Sequence, residues 1–320
     1  MCAHKVPMLI LSVVLLLLWS CGGSSGGGMA PASVPPPTNT AALPITAANA
    51  QDITVTVLEA ITSSVEIVDI VDVIGLPAIG GTNPGLAKLA TGKLFADIMA
   101  CDTGQATVTW NDADNDLMIS TGDTIDVVFE LCFFEDPGAT LDGATSFTNI
   151  SVTGDPFFQI APWRLAMTFG FDNLSGMDSE GEAILNGSLD LDLSSDDNLV
   201  VNLSIATDSL TVQQSNISET LSDYVLTETL DLNASTQVIS ANGKLTSTLL
   251  DGSVTFETLQ DFLVIGEENP FAGQLLISDS SSSVLVTALD NISVQLDIDL
   301  DRDGTIDETI IVTWDELDID

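Results

Sequence analysis

Along most of this chain apolar and polar residues alternate with a period of two. Leu189, Leu191 and Leu193 alternate with Ser188, Asp190 and Asp192. Leu199, Val201, Leu203 and Ile205 alternate with Val200, Asn202 and Ser204. Val294, Leu296, Ile298 and Leu300 alternate with Gln295, Asp297, Asp299 and Asp301. Successive strand residues point to opposite faces, so each run reads as a half-buried strand with one wet face. Asp142-Gly143, Asn186-Gly187, Asn242-Gly243, Asp251-Gly252 and Asp303-Gly304 are turn dipeptides, several of them between such runs. From about Ala106 onward the pattern predicts many short strands joined by turns. The expected fold class is mainly β, a large antiparallel meander, with half-barrel, barrel and sandwich all open to it. No strict sequence repeat is present.

Upstream the period changes. Residues 51–74 place Val57, Ile61, Val65, Val68 and Asp72 at near-helical spacing, with Asp52 positioned to cap the start. Their many β-branched side chains make this a poor helix on propensity alone. Gly75 through Gly85 is rich in Gly, Pro and Asn and reads as a loop, and a second short helix is expected around Pro84–Leu94. Residues 51–100 are therefore expected to be a helical or irregular segment packed on a β domain formed by 101–320.

The first residues form a short basic start (His4, Lys5) followed by an apolar run from Met8 to Leu18, the order of a signal peptide. The run is too short for a membrane-spanning helix, which takes about 20 apolar residues. Leu18-Trp19-Ser20-Cys21 follows, then the Gly/Ser stretch Gly22–Gly28. This resembles the bacterial lipobox, with Leu at −3, a small residue at −1 and the Cys that becomes diacylated; Trp19 departs from the small residue usual at −2. The resemblance implies removal of residues 1–20, a lipid on Cys21, and membrane attachment through it. Gly22 stands where an Asp would retain an enteric-type lipoprotein in the inner membrane, which favours the outer membrane. Residues 21–50, Gly/Ser-rich and then Pro-rich around Pro35-Pro36-Pro37, are expected to be a tether.

Charge changes the picture of partners. The formal net charge is −41, and after the signal only Lys88, Lys93, Arg164, Lys244 and Arg302 are basic. Binding to a phosphate backbone needs cations to neutralise it, so nucleic acid is not an expected partner. Divalent cations are the partners such a surface attracts. Acidic, hydrated faces also serve solubility alone, so only clustered Asp with ligand spacing is read further. Of the four Cys, Cys2 leaves with the signal and Cys21 takes the lipid. Cys101 and Cys132 remain, and an oxidising compartment makes a disulfide the default. Seven Asn-X-Ser tripeptides, beginning at Asn149, Asn173 and Asn186, read as polar faces of strands in an exported bacterial chain.

Two Asp-rich loops have ligand spacing. In Asp112-Ala-Asp114-Asn-Asp116-Leu-Met-Ile119-Ser120-Thr-Gly-Asp123, positions 1, 3 and 5 of a twelve-residue calcium loop are Asp, position 8 is apolar, position 9 is Ser120 and position 12 is Asp123. Leu117 stands where Gly is usual, and Asp123 where Glu is usual. The flanks look like strands, so the segment reads as a calcium loop at a hairpin tip. Cys101 and Cys132 lie almost symmetrically about it. If Trp110 faces Asp123, an unbroken ladder sets Cys101 opposite Cys132, within bridging distance. The second loop, Asp299-Leu-Asp301-Arg-Asp303-Gly304-Thr-Ile306-Asp307, matches positions 1, 3, 5, 6, 8 and 9. Position 12 is Ile310, so Asp307, Glu308, a carbonyl or water must complete the set. Ile306, Ile310, Val312 and Trp314 share one parity after it, making a second strand–loop–strand unit. Ca²⁺ is the cofactor these loops imply.

The segment Cys101…Asp112-x-Asp114-x-Asp116…Ser120-x-Gly122-Asp123…Cys132 is similar to one in a group of uncharacterised lipoproteins of Gram-negative, often marine, bacteria. So is the tail, with Asn269-Pro270-x-x-Gly273, Asp299-x-Asp301-x-Asp303-Gly304 and Thr313-Trp314-x-Glu316-Leu317. The resemblance covers the signal, the 101–143 hairpin and the last fifty residues. It implies an exported all-β lipoprotein and supplies no chemistry.

The one His of the chain is His4, in the signal, which removes Ser-His and Cys-His pairs and His metal sites from consideration. Gly22–Gly28 is tether, not a phosphate-cradling loop. Sites for glycoside chemistry usually bring aromatic platforms, and only Trp110, Trp163, Trp314 and Tyr224 are available among Trp and Tyr after the signal. The chain is not expected to be an enzyme. Two classes remain. One is a structural or interaction surface lipoprotein, stiffened by calcium and meeting a protein partner. The other is a carrier whose curved sheet shelters a hydrophobic ligand.

Overall fold

The alternating runs form strands, each paired to the next. The structure, a computed structural model, describes residues 42–73, 95–99, 101–116, 118–134, 138–156, 160–177, 181–266 and 269–317. Cys21 and the segment that resembles a lipobox, the part of the expected tether before residue 42, and the loop and helix expected at Gly75–Gly85 and Pro84–Leu94 lie outside them. The sheet order runs β1 to β14 in chain order, with β1 and β14 at its two ends. The predicted antiparallel meander is therefore the fold. Val294, Leu296 and Ile298 are fully buried on one face of their strand, each stabilising by roughly 1.5–3 kcal/mol against exposure. Among the described residues, no helix is long and apolar enough to cross a membrane.

The chain divides into two compact units. The first holds Ser63–Leu191 with Val212–Ser215. Its strands are β1 (Phe95–Met99), β2 (Thr103–Asn111), β3 (Thr124–Phe134), β4 (Ala139–Asp155), β5 (Ile160–Met177) and most of β6 (Glu182–Ser195). Ile125, Val127, Phe147, Leu165, Met167 and Phe169 form its core, with Phe147 edge-on to Phe169 at 4.9 Å between centroids. β1 begins eleven residues before Ala106, where alternation becomes visible, and falls in the segment read as helical or irregular.

Left-handed residues interrupt these strands. Asn149 (φ 53°) and Gly143 (φ 102°) of β4 lie at register shifts with β5, the signature of β-bulges. The Asn149 bulge switches parity, so Phe147 and Ile150 both reach the core. A Cβ on Gly143 would strike the carbonyl of Asn173, itself left-handed. Asp142-Gly143, Asn186-Gly187 and Asn242-Gly243 thus sit inside β4, β6 and β9 instead of ending them. At Gly143 and Gly187 the left-handed conformation that makes such dipeptides good turns is used inside a strand, whereas opposite Gly243 the left-handed residue is Asp223 of the neighbouring strand. Asp251-Gly252 and Asp303-Gly304 do lie where the chain turns.

The second unit holds Pro35–Thr62, Asp192–Thr211 and Asn216–Asp320. Its strands are β7 (Val200–Gln214, to Thr211), β8 (Ile217–Asp231), β9 (Thr236–Ser247), β10 (Gly252–Ile265), β11 (Ala272–Ser278), β12 (Ser283–Ala288), β13 (Ser293–Asp299) and β14 (Glu308–Thr313), closed by a 3₁₀ turn at Asp315–Leu317. The helix α1 (Ala50–Val73) begins here and buries Ile53 and Val57. Asp52 lies in its first turn, where the helix dipole favours an acid, and is not its cap. The chain enters α1 through a turn in which Asn49 accepts the backbone N–H of Thr46 at 2.7 Å. Part of the expected tether is docked: Ala42 bridges Ser253, and the Ile45 N–H donates to Ser282 Oγ at 2.6 Å. Ile306, before the strand, is exposed, while Ile310 is half-buried, Ile311 exposed and Val312 and Trp314 buried, so the predicted parity holds from Ile310 on.

Candidate metal centres and an apolar cavity

Cys101 and Cys132 are bonded, with Cα atoms 5.3 Å apart, inside the usual window for a bridge. The ladder that joins them is not the unbroken one expected. Trp110 pairs with Ile125, and Asn111 with Thr124, two residues further than a Trp110–Asp123 pairing. A shift at Gly104 then pairs Thr103 with Phe133, and Cys101 lies before β2, past the end of β1. Gly104 and Leu131 are left-handed at this shift (φ 81° and 48°), and the bridge joins Cys101, outside β2, to Cys132 within β3. Closing a 31-residue separation stabilises by about 3–4 kcal/mol in the chain-entropy account.

The loop between β2 and β3 opens immediately after the Asn111–Thr124 rung. Asp112 and Asp123 flank that rung, and Asp114 follows two residues on; carboxylate oxygens of these three lie within 4.8 Å of one another. Asp123 is wholly buried. Its Oδ1 accepts the Ala113 N–H at 2.8 Å, and its Oδ2 accepts the Ser120 N–H at 3.0 Å and Trp110 Nε1–H at 3.3 Å. Asp112 Oδ1 accepts the Asn115 N–H at 2.7 Å, with Asn115 left-handed at φ 62°. Asp116, placed by spacing at position 5, is outside the converging set, and its Oδ1 accepts the Met118 N–H at 2.7 Å. Ser120 Oγ is shielded from solvent with no hydrogen-bond partner.

The loop between β13 and β14 repeats this plan. Asp299 and Asp307 flank the Ile298–Glu308 rung, Asp301 follows two residues after Asp299, and these three again lie within 4.8 Å. Arg302, at the position equivalent to Asn115, is also left-handed at φ 56°. It donates from its guanidinium to the Asp279 carbonyl at 2.7 Å. Asp303 is outside the set and accepts the Thr305 N–H at 2.7 Å. Burial pushes the Asp299 carboxyl up, but the N–H groups of Gly304, Asp301, Arg302 and Asp303 outweigh it and hold the carboxyl below the ordinary value. Asp307 Oδ2 accepts the Leu300 N–H at 2.8 Å.

Both donor sets consist of carboxylate oxygen with no nitrogen or sulfur, the chemistry that suits calcium or magnesium over softer metals. The shielded, unpartnered Ser120 Oγ adds a neutral oxygen in the first loop. On these grounds the residues fit a hard divalent cation.

The spacing of apolar residues gave no sign of a cavity in the second unit. Its volume is about 230 Å³, between Leu58 and Ile61 of α1, Ile239 and Ala241 of β9, Phe262 and Val264 of β10, and Trp314. Trp314 is buried and edge-on to Phe262. Such a space arises only where a helix and two strands meet, which one-dimensional periodicity does not record.

Compared with protein-family models, curated proteins and solved structures, the chain matches none.

Proposed function

We propose that this chain is an exported β-sheet protein, anchored to the outer membrane by a lipid on Cys21, that presents a structural or interaction surface stiffened by calcium in its two acidic hairpin loops. The observation that carries the calcium reading is one arrangement built twice: two carboxylates across the last rung of a hairpin and a third two residues on. In the first loop Asp112, Asp114 and Asp123 would hold the ion, and in the second Asp299, Asp301 and Asp307. The ion would neutralise three converging charges and fix the loop to its hairpin. The similarity of the lipobox and both loops to the Gram-negative lipoprotein group supports the same reading.

The test is calcium titration of EDTA-stripped protein by calorimetry, with melts before and after. Saturation to 100-fold over the dissociation constant is expected to add about 2.7 kcal/mol per site and raise Tm. Absence of both binding heat and a Tm rise refutes the calcium reading.

A second reading, carriage of an apolar ligand, is favoured by one observation, the cavity behind α1.

A further inference from the structure

We infer that the cavity of the second unit binds an uncharged, largely apolar molecule and takes up about nine of its carbons; this rests on the carrier reading and gives it a site and a ligand class. Size comes first. An apolar cavity of about 150 Å³ stays dry and takes benzene, so a space of about 230 Å³ corresponds to about nine carbons.

The chemistry of the wall comes next. Its polar side chains are already committed within the protein. Thr258 Oγ1 accepts the Ala241 N–H at 2.9 Å and donates to the Ala241 carbonyl at 3.0 Å. Thr62 Oγ1 donates to the Leu58 carbonyl at 3.1 Å. Trp314 Nε1–H is shared between the carbonyls of Pro270 and Asp290 at 3.1 and 3.2 Å. The Gln237 amide donates to Glu228 at 2.9 Å. A water needs two to four polar partners, and this wall offers it little. The remaining polar side chain, Asn269, is half-buried and uncharged.

Charge then selects the head group. Among the described residues the lining contains no Lys or Arg, and its Gln237 is hydrogen-bonded to the Glu228 carboxylate. In a chain of net charge −41 a carboxylate head finds no counter-charge there. An alcohol or ester head meets no such penalty.

The experiment uses the full chain carrying Cys21→Ser, so that no detergent competes. Straight-chain alcohols of six to twelve carbons, and the matching carboxylates at about pH 8, are titrated while Trp fluorescence is read. The Trp314→Phe variant identifies the Trp314 signal. Affinity is expected to rise about fourfold per methylene, the worth of burying one CH₂, and to level off near nine carbons. Carboxylates are expected to bind at least tenfold more weakly. Ala241→Leu fills the cavity and should weaken binding at least tenfold. Leu58→Ala enlarges it and should move the plateau to longer chains, a readout that survives if Ala241→Leu fails to fold. No saturable Trp314 signal at any length, equal binding of carboxylates, or a plateau unmoved by Leu58→Ala overturns the inference. Mass spectrometry of organic extracts from natively purified protein separates the two levels. Lipid held equally by wild type and Leu58→Ala, without alcohol binding at Trp314, overturns this site and leaves the carrier reading standing. No lipid and no alcohol binding overturns both.

Discussion

Asp123 is the residue whose change most directly tests how the first loop is held, because its role does not require a metal. Its wholly buried carboxylate accepts three N–H groups, from Ala113, Ser120 and Trp110. Asp123→Asn keeps the shape and replaces one acceptor oxygen by an NH₂ donor. Turned toward Ser120 and Trp110, the remaining oxygen keeps two bonds, and Ala113 then faces a donor. Turned the other way, two N–H groups lose their acceptor. A hydrogen bond to a charged group is worth about 1.5–3 kcal/mol, and the surviving bonds weaken to neutral ones, so the loss should total about 3–5 kcal/mol. Asp116→Asn is the matched control. It removes the same charge from an exposed residue whose bond to the Met118 N–H an Asn oxygen also makes, so it should change stability by about 0.5 kcal/mol or less. Both are measured by urea unfolding in EDTA, following Trp fluorescence. If the two variants agree within about 0.5 kcal/mol, Asp123 is not the pin of this loop.

Two further outcomes are expected. Replacing Cys21 by Ser should release the protein from the membrane fraction, as followed by fractionation and blotting; retention in the membrane refutes the anchor. Glu219 supplies a pH test. Burial raises its carboxyl above the ordinary glutamate value, and the hydrogen bond from Ser247 opposes that only in part. The folded state therefore holds this proton more tightly than the unfolded chain. Its contribution is complete below the unfolded value of 4.5 and is lost as pH rises through the folded value. Glu219→Gln should gain stability relative to wild type between about pH 4 and pH 7, measured by denaturant unfolding at both. A difference that does not change with pH removes Glu219 from that role.

The meander was legible because period two survives any arrangement of strands in space: Val294, Leu296 and Ile298 are buried as their alternation predicts. Bulges were harder to read. Asn149, Asn173 and Gly143 carry a left-handed backbone inside long strands, and sequence alone gives Asn and Gly the same weight in a turn. The two acidic loops are visible from spacing, and spacing does not show which of their carboxylates converge. Asp123 and Asp307, which flank the last rung, converge with the first two Asp of each loop, while Asp116 and Asp303 accept N–H groups within the loop. The disulfide was legible as a pair, while its register was not, because the ladder already runs two residues beyond a Trp110–Asp123 pairing at the loop end and shifts again between Gln105 and Thr103. The cavity was invisible, since Leu58, Ala241 and Phe262 are far apart in sequence and meet only through packing.

The strand order has a consequence for how the molecule is assembled in time. Each strand neighbours its successor, so each pairing needs only the strand made just before it. A polypeptide threaded outward from its N-terminus can add hairpins as they emerge, without waiting for its end. The docking of residues 42–45 breaks this rule: Ile45 meets Ser282 across 237 residues. The stretch nearest the proposed lipid therefore cannot find its place until Ser282, far along the chain, has joined the sheet.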